Sequence, residues 1–220
     1  MTNFTIKIVS DTVCPWCYVG KKRLEKGISL YKAAHPDSKD TFSISWFPYY
    51  LNPHAPKIGV NKTEYMNARF GAERVKMMQA HLAQVGQTEG INFNPGGRTG
   101  NTRDSHRLIQ LGKTKGEAVQ TRVVEELFAS YFENEGDITS HDTLTKAGVK
   151  AGLDESDVKA WLKSDQGGAE VDQEVAEAKR AYISGVPNFT IQGKYQIGGA
   201  EEPATFLETF EKVRAEETSG

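Results

Sequence analysis

Cysteine is scarce in this sequence of 220 residues, which has only Cys14 and Cys17. A scaffold held together by several disulfides is therefore excluded. A structural zinc site needs about four ligands, and the five histidines are scattered along the chain without a second paired cluster. We therefore expect no metal ion at the cysteine pair.

Long apolar runs and an excess of charge of one sign are also absent. Hydrophobic residues make up 38% of the chain and the formal net charge is −2. These features predict no membrane-spanning segment and no nucleic-acid partner. The first residues alternate apolar and polar positions, unlike an export signal, so we expect a cytoplasmic protein. In that compartment a lone Cys-x-x-Cys is more often redox-active or metal-binding than a static disulfide.

The two cysteines form the motif "CPWC" at a predicted junction between a strand and a helix. Alternating apolar residues predict a strand over residues 4–10, and Pro15 suits the first position of a helix. The unpaired amides of a helix N-terminus stabilise a thiolate. We therefore predict that Cys14 is the nucleophile, with its sulfur facing the amides of Trp16 and Cys17. Cys17, one turn inside the helix, is the predicted resolving thiol.

The remaining patterns predict one small sheet interrupted by helices. A second strand is predicted from residue 42 to Pro48, and a strand–turn–strand pattern with its turn at residues 192–194 comes late in the chain. More than a hundred residues of mostly helical pattern lie between them. The order is βαβ, a helical block, then αββα, which predicts an α/β fold with an inserted all-helical domain.

We assign residues 1–52 and 184–220 to the sheet domain and residues 53–183 to the helical insertion, whose last helix is a candidate for sharing between the two. The segments 52–62 and 87–101 are rich in proline, glycine and asparagine and are predicted to be loops. The wide apolar stripes of the predicted helices are compatible with a homodimer or a monomer.

Three helix features of the insertion can be predicted in detail. Ser140 and Asp154 are the predicted N-caps of two short helices. A later helix is predicted to carry one apolar stripe that ends at Tyr182.

Pro187, which opens the late hairpin, has the position of an ordinary strand-start proline when judged from spacing alone.

Four stretches in the same order resemble the FrnE-type DsbA-like oxidoreductases, which have a thioredoxin-like fold with a helical insertion. These are "SDTVCPWCYVGKKRLEK", "FPYYLNPHAP", "NTRDSHRLIQLG" and "SGVPNFTIQGKYQIGGAEEP". The relatives of that group include 2-hydroxychromene-2-carboxylate isomerase and kappa-class glutathione transferase. The resemblance extends over nearly the whole chain.

The resemblance implies roles for several further residues. Pro187 is expected to be cis and to pack against the dithiol, and the backbone of Val186 is expected to pair with an extended thiol substrate. Asn52 is a candidate glutathione ligand, although asparagine before proline is also a common turn residue. Trp16 is a candidate substrate contact that is equally compatible with simple packing over the loop.

Two residues of the same motifs are candidates for a supporting role. His106 matches the family's helical histidine, with Ser105 before it where relatives have alanine; a lone helical histidine is more often structural than catalytic. Asp11 matches an acidic residue at the strand end and is a candidate for proton transfer at Cys14, with local turn formation as the alternative.

Two departures from the family pattern bear on function. The isomerase and transferase relatives carry serine where this chain has Cys14, so this chain can carry out redox chemistry itself. Glu201 and Glu202 bring negative charge where the carboxylates of glutathione would approach, which weighs against conventional glutathione binding.

The sequence therefore favours an intracellular thiol-disulfide oxidoreductase without a tightly bound cofactor. Its partners would be a disulfide-containing peptide or protein, or a small thiol, with glutathione as a candidate co-substrate. The alternative is a glutathione-dependent isomerase or transferase that acts on an apolar small molecule. A binding or chaperone-like module with vestigial thiols is a third hypothesis.

Overall fold

The computed structural model describes residues 1–218, which form six strands, nine α-helices and one π-helix. The strands are β1 (Asn3–Ser10), β2 (Thr41–Pro48), β3 (Val60–Asn61), β4 (Arg98–Thr99), β5 (Asn188–Ile191) and β6 (Tyr195–Gly198). The α-helices are α1 (Pro15–Ala34), α2 (Lys62–Phe70), α3 (Ala72–Glu89), α4 (Arg103–Thr114), α5 (Glu117–Phe128), α6 (His141–Lys150), α7 (Glu155–Lys163), α8 (Gly168–Arg180) and α9 (Pro203–Thr218). The π-helix, Ala129–Glu133, continues α5.

The main sheet has four strands in the order β2-β1-β5-β6, with β1 parallel to β2 and the other two pairs antiparallel. The central strand β1 buries Phe4, Ile6 and Ile8, as its alternating pattern predicts. Because β1 ends at Ser10, it delivers the following residues to one edge of the sheet, where α1 begins. The predicted strand-to-helix junction is confirmed.

Helices α1 and α9 pack closely because α1 has a glycine at the position where it faces α9. A Cβ atom added at Gly27 would lie 2.7 Å from the Cβ of Phe206, a distance at which the helices would have to separate. An aromatic cluster of Phe4, Tyr31 and Phe210 fills the space between β1 and these two helices. The packing fixes the helix that carries the cysteine motif.

The helical region is attached to the sheet along β2. The side chain of Gln120 on α5 pairs with the backbone of Trp46: its Nε2 donates to the Trp46 carbonyl oxygen (2.9 Å), and its Oε1 accepts from the Trp46 amide (3.1 Å). An edge strand exposes backbone groups that need partners, and α5 supplies two of them here. The edge of the sheet is thereby covered from the helical side.

Several local predictions are confirmed. Ser140 and Asp154 are the N-caps of α6 and α7, and the side chain of each accepts a hydrogen bond from an amide of the first helical turn. The turn between β5 and β6 covers residues 192–194, where Gln192 and Gly193 have positive φ angles of 51° and 63°. The α/β fold with inserted helices is confirmed as well.

The prediction for Tyr182 is wrong. Helix α8 ends at Arg180, and Tyr182 has a φ angle of 58° with its side chain 94% exposed. The amide of Ile183 donates to the Ala178 carbonyl oxygen, and that of Tyr182 donates to the Lys179 carbonyl oxygen. This Schellman turn ends the helix before the apolar period places Tyr182 on the buried stripe.

The two segments predicted to be loops contain the short strands β3 and β4, which pair through Val60 with Thr99 and Asn61 with Arg98. Two-residue strands are too short to leave a periodic pattern in the sequence. Among residues 1–218 no helix is long and apolar enough to cross a membrane. The domain boundaries stay a prediction, and residues 219 and 220 of the assigned segment 184–220 lie outside the described residues.

Candidate active site

Cys14 occupies the N-cap position of α1. The chain turns after β1 because the Cys14 amide donates to the Asp11 carbonyl oxygen (3.0 Å), and Pro15 then begins the helix. The amide of Cys17 donates back to the Cys14 carbonyl oxygen at 3.1 Å. The turn therefore holds both cysteines at the start of the helix, as predicted, and both are free thiols.

The Cys14 thiol faces the chain before β5 rather than the helix amides. It donates to the Val186 carbonyl oxygen, with 3.5 Å between Sγ and O, and it makes no capping hydrogen bond in α1. The prediction that its sulfur faces the amides of Trp16 and Cys17 is therefore wrong for this state. A protonated thiol is a donor, so it turns toward a carbonyl oxygen.

Pro187 follows the carbonyl group that receives this bond, and the Val186–Pro187 peptide bond is cis. Pro187 is buried and packs against α1 at Gly20, where an added Cβ would lie 3.0 Å from the proline Cγ. Only glycine allows this approach without a shift of the proline ring or of α1. The structure thus brings Val186 and Pro187 to the helix that carries both cysteines.

The two thiols have different environments. Burial raises the pKa of Cys17 well above its usual value, and the hydrogen bond and charge of the neighbouring Cys14 sulfur raise it further. The Ser10 hydroxyl and the Asp11 amide act in the opposite direction. Cys14 is also buried, at 4% exposed, but it lines a large cleft to which Cys17 does not contribute. Only Cys14 therefore faces the space that a substrate can enter.

Asp11, whose carbonyl oxygen accepts from the Cys14 amide, forms a buried pair with His106. The His106 Nε2 atom is 3.2 Å from Asp11 Oδ1 and 3.1 Å from the Tyr49 carbonyl oxygen, so it is the donor to both acceptors. The second carboxylate oxygen of Asp11 accepts from the Leu51 amide at 2.8 Å. The pair therefore ties the end of β1 to the segment after β2, which lines the cleft.

Ser105, which replaces the alanine of the family motif, also joins these elements. It is fully buried, and its hydroxyl donates to the Thr102 carbonyl oxygen while accepting from the Thr12 hydroxyl, each at 2.8 Å. The substitution thus adds a hydrogen bond between α4 and the turn that precedes Cys14.

The cleft in front of Cys14 has a volume of about 470 Å³ and mostly apolar walls. Its outer wall is the apolar stripe of α3, including Met78 and Leu82, which covers the cleft instead of packing fully into the core. The cleft also contains three predicted site residues, Trp16, Asn52 and Val186.

Trp16 and Asn52 have defined positions at this cleft. The ring of Trp16 is 36% exposed and lies 5.7 Å, between centroids, from the ring of His81 on α3. Asn52 accepts from the His54 amide (3.1 Å), as a turn residue does, and its Nδ2 donates to the Tyr65 hydroxyl (2.6 Å). Asn52 therefore acts as a turn residue and also lines the cleft.

Lys62 is a cleft residue that the sequence did not identify. It is only 8% exposed, its Nζ donates to the Tyr131 carbonyl oxygen (3.1 Å), and the ammonium group lies 4.3 Å from the centroid of the Tyr131 ring. The wide turn of the π-helix makes carbonyl groups available, and the adjacent Phe132 carbonyl oxygen accepts from the Asn94 amide. A lysine directly after a polar cap residue is typically solvent-exposed, so no sequence pattern marks it.

The glutamates that weigh against glutathione binding differ from each other in the structure. Both are exposed, but Glu202 forms an ion pair with Arg23 at 2.8 Å, and no ion pair of Glu201 is found among the described residues. The charge of Glu202 is therefore partly neutralised by α1, which weakens the argument against an anionic substrate.

A second cleft of about 340 Å³ lies beside residues 181–188 and the end of β6. It contains Val186 and Pro187 but neither cysteine, so the chemistry of the thiols belongs to the first cleft. Within residues 1–218 no group of three or more His, Cys, Asp or Glu side chains is placed to hold a metal ion.

Several solved structures have the same fold as this chain. The chain is 26% identical to a probable DsbA oxidoreductase from Streptomyces coelicolor, with a TM-score of 0.86 over 97% of this chain and 91% of that one. It is 14% identical to a 2-hydroxychromene-2-carboxylate isomerase, with a TM-score of 0.68 over 98% of both chains.

A third structure with this fold is the cytosolic disulfide reductase DsbM from Pseudomonas aeruginosa with GSH. The identity is 12% and the TM-score is 0.63, over 96% of this chain and 99% of that one. At such low identities the second and third similarities concern the fold alone. The DSBA-like thioredoxin domain matches residues 5–211, and the chain therefore belongs to this family, as the resemblance predicted.

Proposed function

We propose that this protein is a thiol-disulfide oxidoreductase in which Cys14 is the nucleophile and Cys17 the resolving thiol. The observation that carries the proposal is the asymmetry of the pair: Cys14 lines the cleft, and Cys17 lies buried beside the Cys14 sulfur. The Cys17 thiol does not reach the cleft and is protected from outside reagents, but it remains in contact with the Cys14 sulfur that it must attack.

The reaction follows from this arrangement. The Cys14 thiolate attacks one sulfur of a substrate disulfide, so a bond forms between Cys14 and that half while the other half leaves as a thiolate. Cys17 then loses its proton and attacks the Cys14 sulfur, which releases the second half. The substrate disulfide is reduced to two thiols, and the protein is oxidised to the Cys14–Cys17 disulfide.

Val186 and Pro187 supply the docking edge next to the reacting sulfur in this proposal. The Val186 carbonyl oxygen accepts from the Cys14 thiol in the free protein, and an incoming backbone amide of an extended substrate would take this acceptor. Asp11 and His106 are positioning residues that hold the turn around Cys14. We place the protein in the cytoplasm, where a thiol pool can return the disulfide to the dithiol.

The first experiment is a titration of the Cys14/Cys17 pair in glutathione redox buffers, with Cys14→Ser as the control. We expect a reversible two-electron couple within the range of known oxidoreductases, about −270 to −120 mV. Cys17→Ser is expected to accumulate a mixed disulfide on Cys14 that mass spectrometry detects. If wild-type protein forms no intramolecular disulfide, the proposal fails.

A glutathione-dependent isomerase or transferase is the second candidate function. The apolar cleft favours it, because such a cleft accommodates a small molecule beside Cys14. It predicts that Cys14→Ser retains glutathione-dependent turnover, since a serine hydroxyl can orient a glutathione thiolate. Complete loss of turnover in this variant, with the fold intact, favours the oxidoreductase.

A further inference from the structure

Lys62 is a buried cation that the proposed dithiol chemistry does not use. Its ammonium group has three donor hydrogens, and one protein acceptor, the Tyr131 carbonyl oxygen, lies within hydrogen-bond distance. No carboxylate among the described residues forms an ion pair with it; Glu135 attracts it from a greater distance. Buried lysines are rare unless paired, and Lys62 lines the cleft with donor hydrogens that have no protein acceptor within residues 1–218.

The other charged residues of the cleft do not compensate for Lys62. Asp11 also lines the cleft, but both of its carboxylate oxygens already accept hydrogen bonds, from His106 and from the Leu51 amide. Arg69 is exposed and adds a second positive charge at the cleft, with its Nη1 atom 3.4 Å from the Tyr65 hydroxyl. The part of the cleft that α2 supplies is therefore positively charged.

The walls around this charge are apolar. Side chains of α2, α3 and the segment after them surround the space between Lys62 and Cys14. They include Met66, Phe70, Val75, Met78, Leu82 and Phe93. A cleft of about 470 Å³ has the size of a small-molecule site, and the surface of a folded protein cannot fill it.

We propose that Lys62 binds the carboxylate of a small disulfide whose apolar body fills this cleft and whose sulfur reacts with Cys14. This inference rests on the proposed function and names its substrate class. The carboxylate accepts the free donor hydrogens of the ammonium group in a charge-assisted hydrogen bond. The exchange is the one given above: the dithiol is oxidised, and the disulfide leaves as two carboxylate-bearing thiols.

Two aromatic disulfides of similar size test the inference. Reduced protein is mixed with 5,5′-dithiobis(2-nitrobenzoate), which carries a carboxylate on each ring, or with 4,4′-dithiodipyridine, which carries none. The rate constant for the release of the coloured thiol is measured for each probe. Because the two probes differ in intrinsic reactivity, the quantity compared between variants is the ratio of the two rate constants.

Lys62→Met removes the charge and keeps a side chain of similar shape. We expect the ratio of the carboxylate probe to the neutral probe to fall about 10- to 100-fold, the factor for loss of a hydrogen bond to a charged group. Lys62→Arg, which keeps the charge, should retain most of the ratio. Lys76→Met, at an exposed position of α3 outside the cleft, is the matched control and should leave the ratio unchanged.

Binding can also be measured without the redox reaction. The double variant Cys14→Ser/Cys17→Ser cannot exchange disulfides, and titration calorimetry with 4-nitrobenzoate reports occupancy of the cleft. We expect binding that is lost when Lys62→Met is added to the double variant. Equal binding with and without Lys62, or an unchanged ratio of rates in Lys62→Met, would overturn the inference.

The two proposals fail in different ways. If wild-type protein reacts with neither disulfide and forms no internal disulfide, the oxidoreductase proposal fails, while 4-nitrobenzoate binding still reports on Lys62. If it reacts with both probes and the ratio does not depend on Lys62, the dithiol chemistry stands and the substrate class is wrong.

Discussion

Arg107 and Lys62 are both buried cations of the helical region, and they differ in how completely their donors are used. The Arg107 guanidinium donates to the carbonyl oxygens of Gln166, Trp161 and Ser164 and pairs with Asp104. Lys62 donates to one carbonyl oxygen. Arg107 uses four of its five N–H donors within the protein and so stabilises the fold, whereas a buried charge with most of its donors free in a cleft is available to a ligand.

The largest effect on stability is expected for Arg107→Met. The substitution removes the buried guanidinium that donates to the carbonyl oxygens of Gln166, Trp161 and Ser164 and pairs with Asp104, and we expect it to lower the free energy of unfolding by about 3–5 kcal/mol. Urea unfolding followed by circular dichroism measures this. Arg180→Met, at the exposed end of α8, is the control and should change stability by less than about 0.5 kcal/mol. Equal effects of the two substitutions would contradict the structural role of Arg107.

A smaller loss of stability is expected for His106→Leu. Like Arg107, Asp11 is a buried charge with hydrogen-bond partners, but the substitution removes only one donor group. Removal of the imidazole leaves Asp11 Oδ1 and the Tyr49 carbonyl oxygen without a donor. We expect a loss of about 1–3 kcal/mol in the free energy of unfolding, again from urea denaturation. His54→Leu is the control, since His54 is exposed. A neutral effect of His106→Leu would show that this pair does not hold the turn.

The ratio of the rate constants for the carboxylate and neutral probes should depend on pH, because Lys62 loses its charge within the accessible pH range. Burial lowers the pKa of Lys62 to about 8, so its positive charge is present below that pH and is lost above it. Between pH 7 and pH 9 we expect the ratio of the carboxylate probe to the neutral probe to fall by about tenfold.

Other ionisable groups around Lys62 should affect this ratio less. Glu135 attracts the ammonium group, and burial raises the pKa of Tyr131; Asp11, Arg69, Tyr65 and His81 also line the cleft. A change in the reactivity of Cys14 alters the rate with both probes and cancels in the ratio. Lys62→Met should show a flat ratio over the same range, and a parallel fall in that variant would assign the effect to another group.

The smallest effect on stability is expected for Lys62→Met. A pKa lowered from 10.5 to about 8 corresponds to a cost of about 3 kcal/mol for keeping the ammonium group charged inside the protein. Loss of the hydrogen bond to the Tyr131 carbonyl oxygen costs about 1–3 kcal/mol. The two terms oppose each other, so the free energy of unfolding should stay within about 1 kcal/mol or rise. A loss as large as that of Arg107→Met would make Lys62 a structural residue.

The sequence by itself determined the chemistry of the site and the order of the fold. The pair Cys14 and Cys17, the junction between β1 and α1, the hairpin turn and the caps at Ser140 and Asp154 all depend on local properties. These are backbone restriction, side-chain capping and apolar periodicity, which act over a few residues and leave a readable pattern.

Only the tertiary structure decided which side chains face the cleft. The contact of the Cys14 thiol with Val186, the hydrogen bonds between His106 and Asp11, and the burial of Lys62 against the π-helix join residues that are 69 to 172 positions apart. Their energies come from burial and from the supply of donors and acceptors in three dimensions. A local pattern contains neither, which is why Lys62 has the sequence context of a surface lysine and the environment of a binding site.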